Sequence, residues 1–208
     1  MKIALAQINV TDADLRGNAR RIVDAAHAAK ARGAELVVFP ELCVTGYGAQ
    51  DRFEHAAFLV DTARTLDRIA REVPQDVGVL VGAPVPNTAP TGKRLFNAAL
   101  LYEGGRRVAE VHKMLLPTYD VYDEYRYFEP ASACRVVEWR GLRLGVHLCE
   151  DMWNDDETAP YRLYAGNPVG VLAAQGVDAL FALAEGLADV AEFQERHRRP
   201  LTAAAASR

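Results

Sequence analysis

Cysteine is scarce in this chain of 208 residues, where it occurs only as Cys43, Cys134 and Cys149. The number is odd, the spacings are unrelated and no CxxC pair occurs, so neither a zinc site nor a dithiol redox motif is indicated. Reduced, unpaired thiols are typical of the cytoplasm. We therefore expect a cytoplasmic protein.

The chain also lacks long apolar runs and an excess of positive charge. No uninterrupted apolar stretch approaches the roughly 18 residues that a membrane-spanning helix needs, and the start MKIALAQINV has neither the length nor the cleavage site of a signal peptide. The formal net charge is -4 and the isoelectric point is near 5.8, which gives no general attraction to phosphate backbones or acidic lipids. We expect no nucleic-acid partner and no membrane association.

The apolar pattern predicts an α/β domain with mixed β-sheets flanked by helices. It begins as strand, helix and strand over residues 2–8, 12–33 and 34–40, with Thr11 and Asp12 as candidate helix caps. A helix over about 52–72 and an apolar strand VGVLVGAPV follow. Two hairpins, turning at EGG and at Arg140 with Gly141, precede the helix GVLAAQG and the strand VDALFAL. Residues 184–208 predict an amphipathic helix and a frayed alanine-rich tail.

Reactive residues stand at the ends of several predicted apolar strands. Glu41 follows LVVFP, Lys113 follows VAEVH, and Cys149 ends LGVHLC, while Glu124 lies in the loop PTYDVYDEYRYFEP. Ligands of α/β sheets bind at strand ends. These four segments are therefore expected to converge on one pocket.

Such a set suits nucleophilic catalysis by a thiol. A thiol with an ordinary pKa of about 8.5 is only a few per cent ionised at pH 7, so a cation must stabilise the thiolate or a base must take its proton. Lys113 is the candidate cation and oxyanion donor, and Glu41 is the candidate base, its pKa raised by a second carboxylate. The alternatives are a buried apolar Cys149, a Glu41 that caps a turn and a surface charge at Lys113. A Cys149 pairing with His147 is a further alternative, although a core histidine with satisfied hydrogen bonds is favoured.

Three segments, in their order and spacing, resemble the carbon-nitrogen hydrolase (nitrilase) superfamily. They are VVFPELCVTGY, HKMLLPTYDVYDEYRYFEP and LGVHLCEDMW. The TGY after the glutamate, the LPTYDVYDEYRYF block and CEDMW look most like the glutaminase domain of glutamine-dependent NAD synthetases. The resemblance covers about residues 1–181.

This resemblance implies a nitrilase-like αββα sandwich and a Glu-Lys-Cys triad. Cys149 would attack the side-chain amide of L-glutamine and release ammonia through a thioester. Glu41 would be the general base, Lys113 would stabilise the tetrahedral intermediate and Glu124 would be the supporting second glutamate. Tyr119 matches a position that contacts glutamine. No cofactor and no metal are expected, and the sandwiches of the family commonly pair, so a homo-oligomer is expected.

The chain departs from this family at its C-terminal end. The segment ALAEGLADV stands where these glutaminases carry an Asn-, Ser- and Pro-containing stretch. We also expect the usual C-terminal part of the sandwich to be missing. We expect a hydrolase domain over residues 1–183, a divergent helix and tail over 184–208, and no synthetase domain, so any ammonia would be consumed by a separate synthetase partner. The alternatives are a catalytically silent remnant or interaction module, and a hydrolase of another small amide or nitrile.

Overall fold

Two β-sheets and flanking helices make up the computed structural model, which describes residues 1–154 and 163–184. The strands within these ranges are β1 (Ile3–Leu5), β2 (Leu36–Val38), β3 (Gly78–Pro86), β4 (Leu95–Glu103), β5 (Arg106–His112), β6 (Val136–Trp139), β7 (Leu142–Leu148) and β8 (Ala179–Leu183). The α-helices are α1 (Leu15–Ala31), α2 (Ala56–Glu72), α3 (Glu124–Tyr127) and α4 (Pro168–Ala174), and 3₁₀ segments span Tyr47–Glu54 and Cys149–Met152. No helix in these ranges is long and apolar enough to cross a membrane.

Both sheets mix parallel and antiparallel pairing. The first sheet has the order β1-β2-β3-β4-β5, parallel from β1 to β3 and antiparallel from β3 to β5. The second sheet has the order β6-β7-β8, in which β6 and β7 are antiparallel and β7 and β8 are parallel. The predicted mixed α/β fold is confirmed.

The sheets face each other across one apolar core and are covered by helices on their outer faces. The core between the sheets joins side chains such as Leu80 and Leu101 from the first sheet to Leu144 and Phe181 from the second. A second core packs α1 and α2 against the other face of the first sheet, and α4 packs against β7. Burial of apolar area in these layers is the main stabilising contribution to the fold.

The hairpin turns follow from glycine. Gly104 and Gly105 connect β4 to β5 with φ values of 59° and 73°, and Arg140 and Gly141 connect β6 to β7 with φ values of 49° and 76°. Two successive positive φ values match the twist of the flanking antiparallel strands, and glycine adopts them at little cost. The second strand of each hairpin, β5 or β7, ends next to a residue of the site described below.

The N-terminal starts of two helices differ between the prediction and the structure. Asp14, rather than Thr11 or Asp12, caps α1, since its Oδ1 accepts a hydrogen bond of 2.9 Å from the backbone N–H of Gly17. The Asp12 carboxylate is instead engaged by the backbone N–H of Gly48.

The second predicted helix begins at Ala56 rather than near residue 52. It is preceded by the 3₁₀ segment Tyr47–Glu54, which Gln50 interrupts with φ 45° and ψ -124°. The predicted helix and tail over residues 184–208 lie, beyond Ala184, outside the described residues.

Candidate active site

The ends of three strands bring reactive side chains to one place. Glu41 lies three residues beyond β2, Lys113 directly follows β5 and Cys149 directly follows β7. Glu124, predicted in a loop, is the first residue of the short helix α3. The structure buries Glu41, Lys113 and Glu124 almost completely, with exposed fractions of 1%, 0% and 4%.

Lys113 bridges the two carboxylates. Its Nζ donates hydrogen bonds of 2.7 Å to Glu41 Oε1 and 2.6 Å to Glu124 Oε1. Burial alone lowers the pKa of a lysine, but the charges of Glu41 and Glu124 outweigh it and raise the pKa of Lys113 above its ordinary value. Lys113 is therefore a fixed positive charge inside the protein.

Two further residues complete the hydrogen bonds of Glu124. Asn97 donates from Nδ2 to Glu41 Oε1 at 2.8 Å and to Glu124 Oε2 at 3.2 Å. The Tyr47 hydroxyl donates to Glu124 Oε1 at 2.6 Å. Both oxygens of Glu124 are thus occupied, which suits a carboxylate that holds its neighbours in place.

Glu41 keeps one oxygen free. Its Oε1 accepts from Lys113 and Asn97, whereas its buried Oε2 has no hydrogen-bonding partner among the described residues. Burial, together with the Glu124 charge and against the opposing effect of Lys113, raises the pKa of Glu41 to about 7. Burial is the largest cause, whereas the sequence argument rested on repulsion between carboxylates. A free oxygen with this pKa can accept and return a proton near neutrality.

Glycine at position 82 allows the Glu41 loop to lie against the sheet. A Cβ atom at Gly82 of β3 would stand 2.4 Å from the backbone nitrogen of Leu42 and 2.7 Å from the Cα atom of Glu41. The backbone N–H of Val44 also donates to the Gly82 carbonyl oxygen at 3.2 Å. A side chain at this position would displace the loop and Glu41 with it.

Cys149 directly follows β7 and is the first residue of the 3₁₀ segment Cys149–Met152. Its φ of 34° is uncommon for a residue with a side chain. Burial raises the pKa of its thiol, the Glu41 charge raises it further and Lys113 only partly offsets these effects. The resting thiol is consequently protonated, so the raised pKa favours a base that removes the proton over a cation that stabilises a standing thiolate.

A third buried carboxylate follows the cysteine directly and was not among the residues selected from the sequence. Glu150 has an exposed fraction of 3%. The Tyr119 hydroxyl donates to its Oε2 at 2.8 Å and the Tyr164 hydroxyl donates to its Oε1 at 3.1 Å. Tyr119, predicted as a substrate contact, is thereby placed beside the cysteine turn. The acid that directly follows Cys149 in CEDMW is the sequence signal that could have identified Glu150.

His147 lies on the other face of β7. Leu144, Val146 and Leu148 of this strand belong to the core between the sheets, so His147 faces away from it because strand side chains alternate. Burial lowers the pKa of His147 to about 4, and the ring is neutral at pH 7. These features support a core histidine. It is not the satisfied one expected from the sequence, because its buried Nδ1 has no hydrogen-bonding partner among the described residues. The described residues also contain no group of three or more His, Cys, Asp and Glu side chains suited to a metal ion.

Known sequences resemble this chain along most of its length. The carbon-nitrogen hydrolase family profile matches residues 2–187. A glutamine-dependent NAD(+) synthetase from Synechocystis sp. is 39% identical over 179 residues, covering 85% of this chain and 32% of that protein. The enzyme of the same name from Thermotoga maritima is 34% identical over 157 residues, covering 76% of this chain and 27% of its own length. The chain spans about a third or less of these curated relatives.

Solved structures share the fold. The glutamine-dependent NAD+ synthetase from Acinetobacter baumannii superimposes with a TM-score of 0.81 at 30% identity, covering 98% of this chain and 35% of that one. An amidase from Nesterenkonia sp. superimposes with a TM-score of 0.73 at 25% identity, covering 93% of this chain and 68% of the amidase. The predicted nitrilase-like fold and the predicted resemblance to NAD synthetases are confirmed.

Proposed function

Because the chain belongs to the carbon-nitrogen hydrolase family, we propose that it is a cysteine-dependent amidohydrolase that releases ammonia from L-glutamine. The observation that carries this proposal is the buried Lys113 bridge between Glu41 and Glu124, within electrostatic range of Cys149. Glutamine is supported by the similarity to glutamine-dependent NAD synthetases.

The first half of the reaction forms a thioester. Glu41 Oε2 takes the thiol proton while Cys149 Sγ bonds to the amide carbon, and the carbonyl oxygen becomes an oxyanion. The charge of Lys113 stabilises this oxyanion. Collapse of the tetrahedral intermediate breaks the carbon–nitrogen bond, and Glu41 returns its proton to the leaving ammonia.

The second half hydrolyses the thioester. Glu41, again ionised, takes a proton from water while the water oxygen bonds to the thioester carbon. The carbon–sulfur bond then breaks, the proton returns to Cys149 and L-glutamate leaves. Glu124 touches no reacting atom in this scheme and instead holds Lys113 in place, as its fully occupied oxygens suggest.

Glu150 supplies a reason to prefer an amino-acid amide over a simple amide or nitrile. It is a buried carboxylate whose partners Tyr119 and Tyr164 are neutral hydroxyls, so no described ion pair balances its charge. An α-ammonium group has the opposite charge and the donors to satisfy it. We assign Glu150 and Tyr119 to binding of the glutamine backbone.

The proposal extends to the organisation of the chain. Residues 1–183 would form the hydrolase domain, and the released ammonia would be used by a synthetase activity outside these residues. Pairing of two such sandwiches would give the expected homo-oligomer. Light scattering during size-exclusion chromatography measures the mass of the assembly and tests this part by itself.

The test of the function is release of ammonia and glutamate from L-glutamine in equal amounts. Acetamide and a small nitrile serve as comparison substrates, and protection of Cys149 from iodoacetamide by glutamine measures occupancy of the site. We expect both turnover and protection with glutamine. If the folded chain hydrolyses acetamide but neither hydrolyses glutamine nor is protected by it, glutamine is not the substrate. The amide-hydrolysing chemistry of the family would still hold.

The role of Glu41 predicts a specific pH dependence. Below its pKa of about 7 the protonated carboxyl accepts no thiol proton, so kcat/KM should fall about tenfold for each pH unit below that value. Glu41→Gln should lower kcat by about 10²- to 10⁴-fold and remove this limb. Ammonia release measured across the pH range provides the profile, with Glu129→Gln as a control carboxylate outside the cluster. A parent profile without the limb would contradict the assignment of Glu41 as the base.

A further inference from the structure

Asp151 connects two parts of the site that no β-ladder joins. It lies in the 3₁₀ segment after Cys149 and has an exposed fraction of only 2%. Its Oδ2 accepts from the backbone N–H of Leu148 at 3.1 Å. Its Oδ1 accepts from the backbone N–H groups of Met114 at 3.0 Å and Leu115 at 2.8 Å.

The three donors flank the two residues on which the proposed chemistry depends. Leu148 directly precedes Cys149, and Met114 and Leu115 directly follow Lys113. Lys113 extends from β5 in the first sheet, whereas Cys149 extends from β7 in the second. The Asp151 carboxylate therefore connects the nucleophile turn of one sheet to the lysine segment of the other.

These contacts are of a strong type. Hydrogen bonds from N–H groups to an ionised carboxylate are stronger than bonds between neutral groups. Burial raises the pKa of Asp151 to about 6 against the opposing effects of these N–H groups and Lys113, so the carboxylate is ionised at and above neutral pH. Cys149 beside it has the uncommon φ of 34°, a conformation that persists only where surrounding contacts hold it.

We propose that Asp151 is a positioning residue for the reaction, in which it sets the placement of the Cys149 thiol relative to Lys113. This role rests on the proposed function and adds a residue to it. Asp151 contacts only backbone groups in the described hydrogen bonds, so it acts through the two chain segments rather than on the substrate. Proteins place reacting groups within fractions of an ångström, and a displacement of about 1 Å can lower a rate by about 10²-fold.

Asp151→Asn is the first test, since the amide keeps the size of the side chain but directs an NH₂ group at an N–H donor. We expect kcat for glutamine to fall by about 10²-fold while KM stays within about threefold. Asp178→Asn is the matched control, because Asp178 Oδ2 accepts a backbone N–H bond of 2.7 Å from Arg143 at the other end of β7. It should retain the parent activity. A kcat unchanged in Asp151→Asn would overturn the proposal.

The rate at which iodoacetamide alkylates Cys149 gives a second readout that needs no glutamine. A variant that is only destabilised should expose Cys149 and react faster. Loss of positioning moves the thiol away from the base Glu41 and the cation Lys113, so less thiolate forms and the reaction should slow. This rate tests Asp151 even if the chain does not hydrolyse glutamine, so failure of the glutaminase assay and failure of the positioning role are distinguishable. Faster labelling in Asp151→Asn would contradict positioning.

A third measurement on the parent chain stays decisive if the variant does not fold. Met114, Leu115 and Leu148 share one carboxylate, so their amide hydrogens should exchange with solvent at similarly slow rates. Rapid exchange at Met114 and Leu115 beside slow exchange at Leu148 would show that the connection does not hold. Similar slow rates at all three amides support it.

Discussion

Replacing Cys149 by alanine is expected to remove ammonia release from L-glutamine while leaving the protein folded. The thiol is the group that bonds to the amide carbon in the proposed reaction, and loss of a nucleophile costs about 10⁴-fold or more in turnover. Alanine adopts the positive φ of this position no less readily than cysteine does. Cys149 is also only half-buried, so little packing is lost. The thermal midpoint should therefore change little, as circular dichroism would measure.

Binding provides the control for the alanine variant. Calorimetric titration with L-glutamine should show that Cys149→Ala still binds, because Glu150 and Tyr119 are unchanged. Cys134→Ala removes another half-buried thiol and should keep the parent turnover. Full activity in Cys149→Ala would rule out the thioester mechanism at this residue. Loss of activity in Cys134→Ala but not in Cys149→Ala would show that Cys134, rather than Cys149, is the nucleophile.

The sequence predicted those parts of the fold and of the site that depend on neighbouring residues in the chain. The two hairpins follow from glycines whose positive φ values suit the turns, and apolar runs mark the strands. Because reactive residues follow such runs directly, Glu41, Lys113 and Cys149 could be selected from their positions alone. Short-range patterns thus identify which residues stand at a strand end.

The contacts around these residues could not be predicted in the same way. Tyr47 bonds to Glu124 across 77 positions of the chain, and Asn97 bonds to Glu41 across 56. Nothing near Asn97 in the sequence shows that one amide reaches two carboxylates. The need for glycine at Gly82 likewise depends on a loop that crosses it from a distant segment. Only the packing of the sheets defines these neighbours.

Lys113→Met is expected to combine a large loss of stability with a loss of activity. Lys113 is fully buried and carries the positive charge of the cluster. Removing one partner of a buried ion pair costs about 3–5 kcal/mol, because the remaining charges are left without compensation. Loss of the oxyanion partner should lower kcat by about 10²- to 10³-fold in the molecules that fold. Urea unfolding and ammonia release measure the two effects.

Two variants separate the buried charge from the loss of a lysine as such. Lys30→Met breaks an ion pair of 2.5 Å with Asp76, in which the side chains of Lys30 and Asp76 are 46% and 67% exposed. It should change the free energy of unfolding far less than Lys113→Met does. Adding Glu124→Gln to Lys113→Met removes one uncompensated carboxylate and should restore part of the stability. Equal destabilisation by Lys30→Met and Lys113→Met would contradict this interpretation.

The destabilisation by Lys113→Met should also grow with pH. The pKa of Glu41 is about 7 because Lys113 partly offsets the effect of burial. Removing Lys113 therefore raises the pKa of Glu41 above this value. The folded variant then binds protons more tightly than the folded parent, whereas the carboxyl groups of the two unfolded chains bind them equally. Stability falls with pH wherever the folded state holds more protons. The difference in unfolding free energy between parent and variant should therefore widen between about pH 6 and pH 8. A difference that stays constant across this range would show that Lys113 does not control the charge on Glu41.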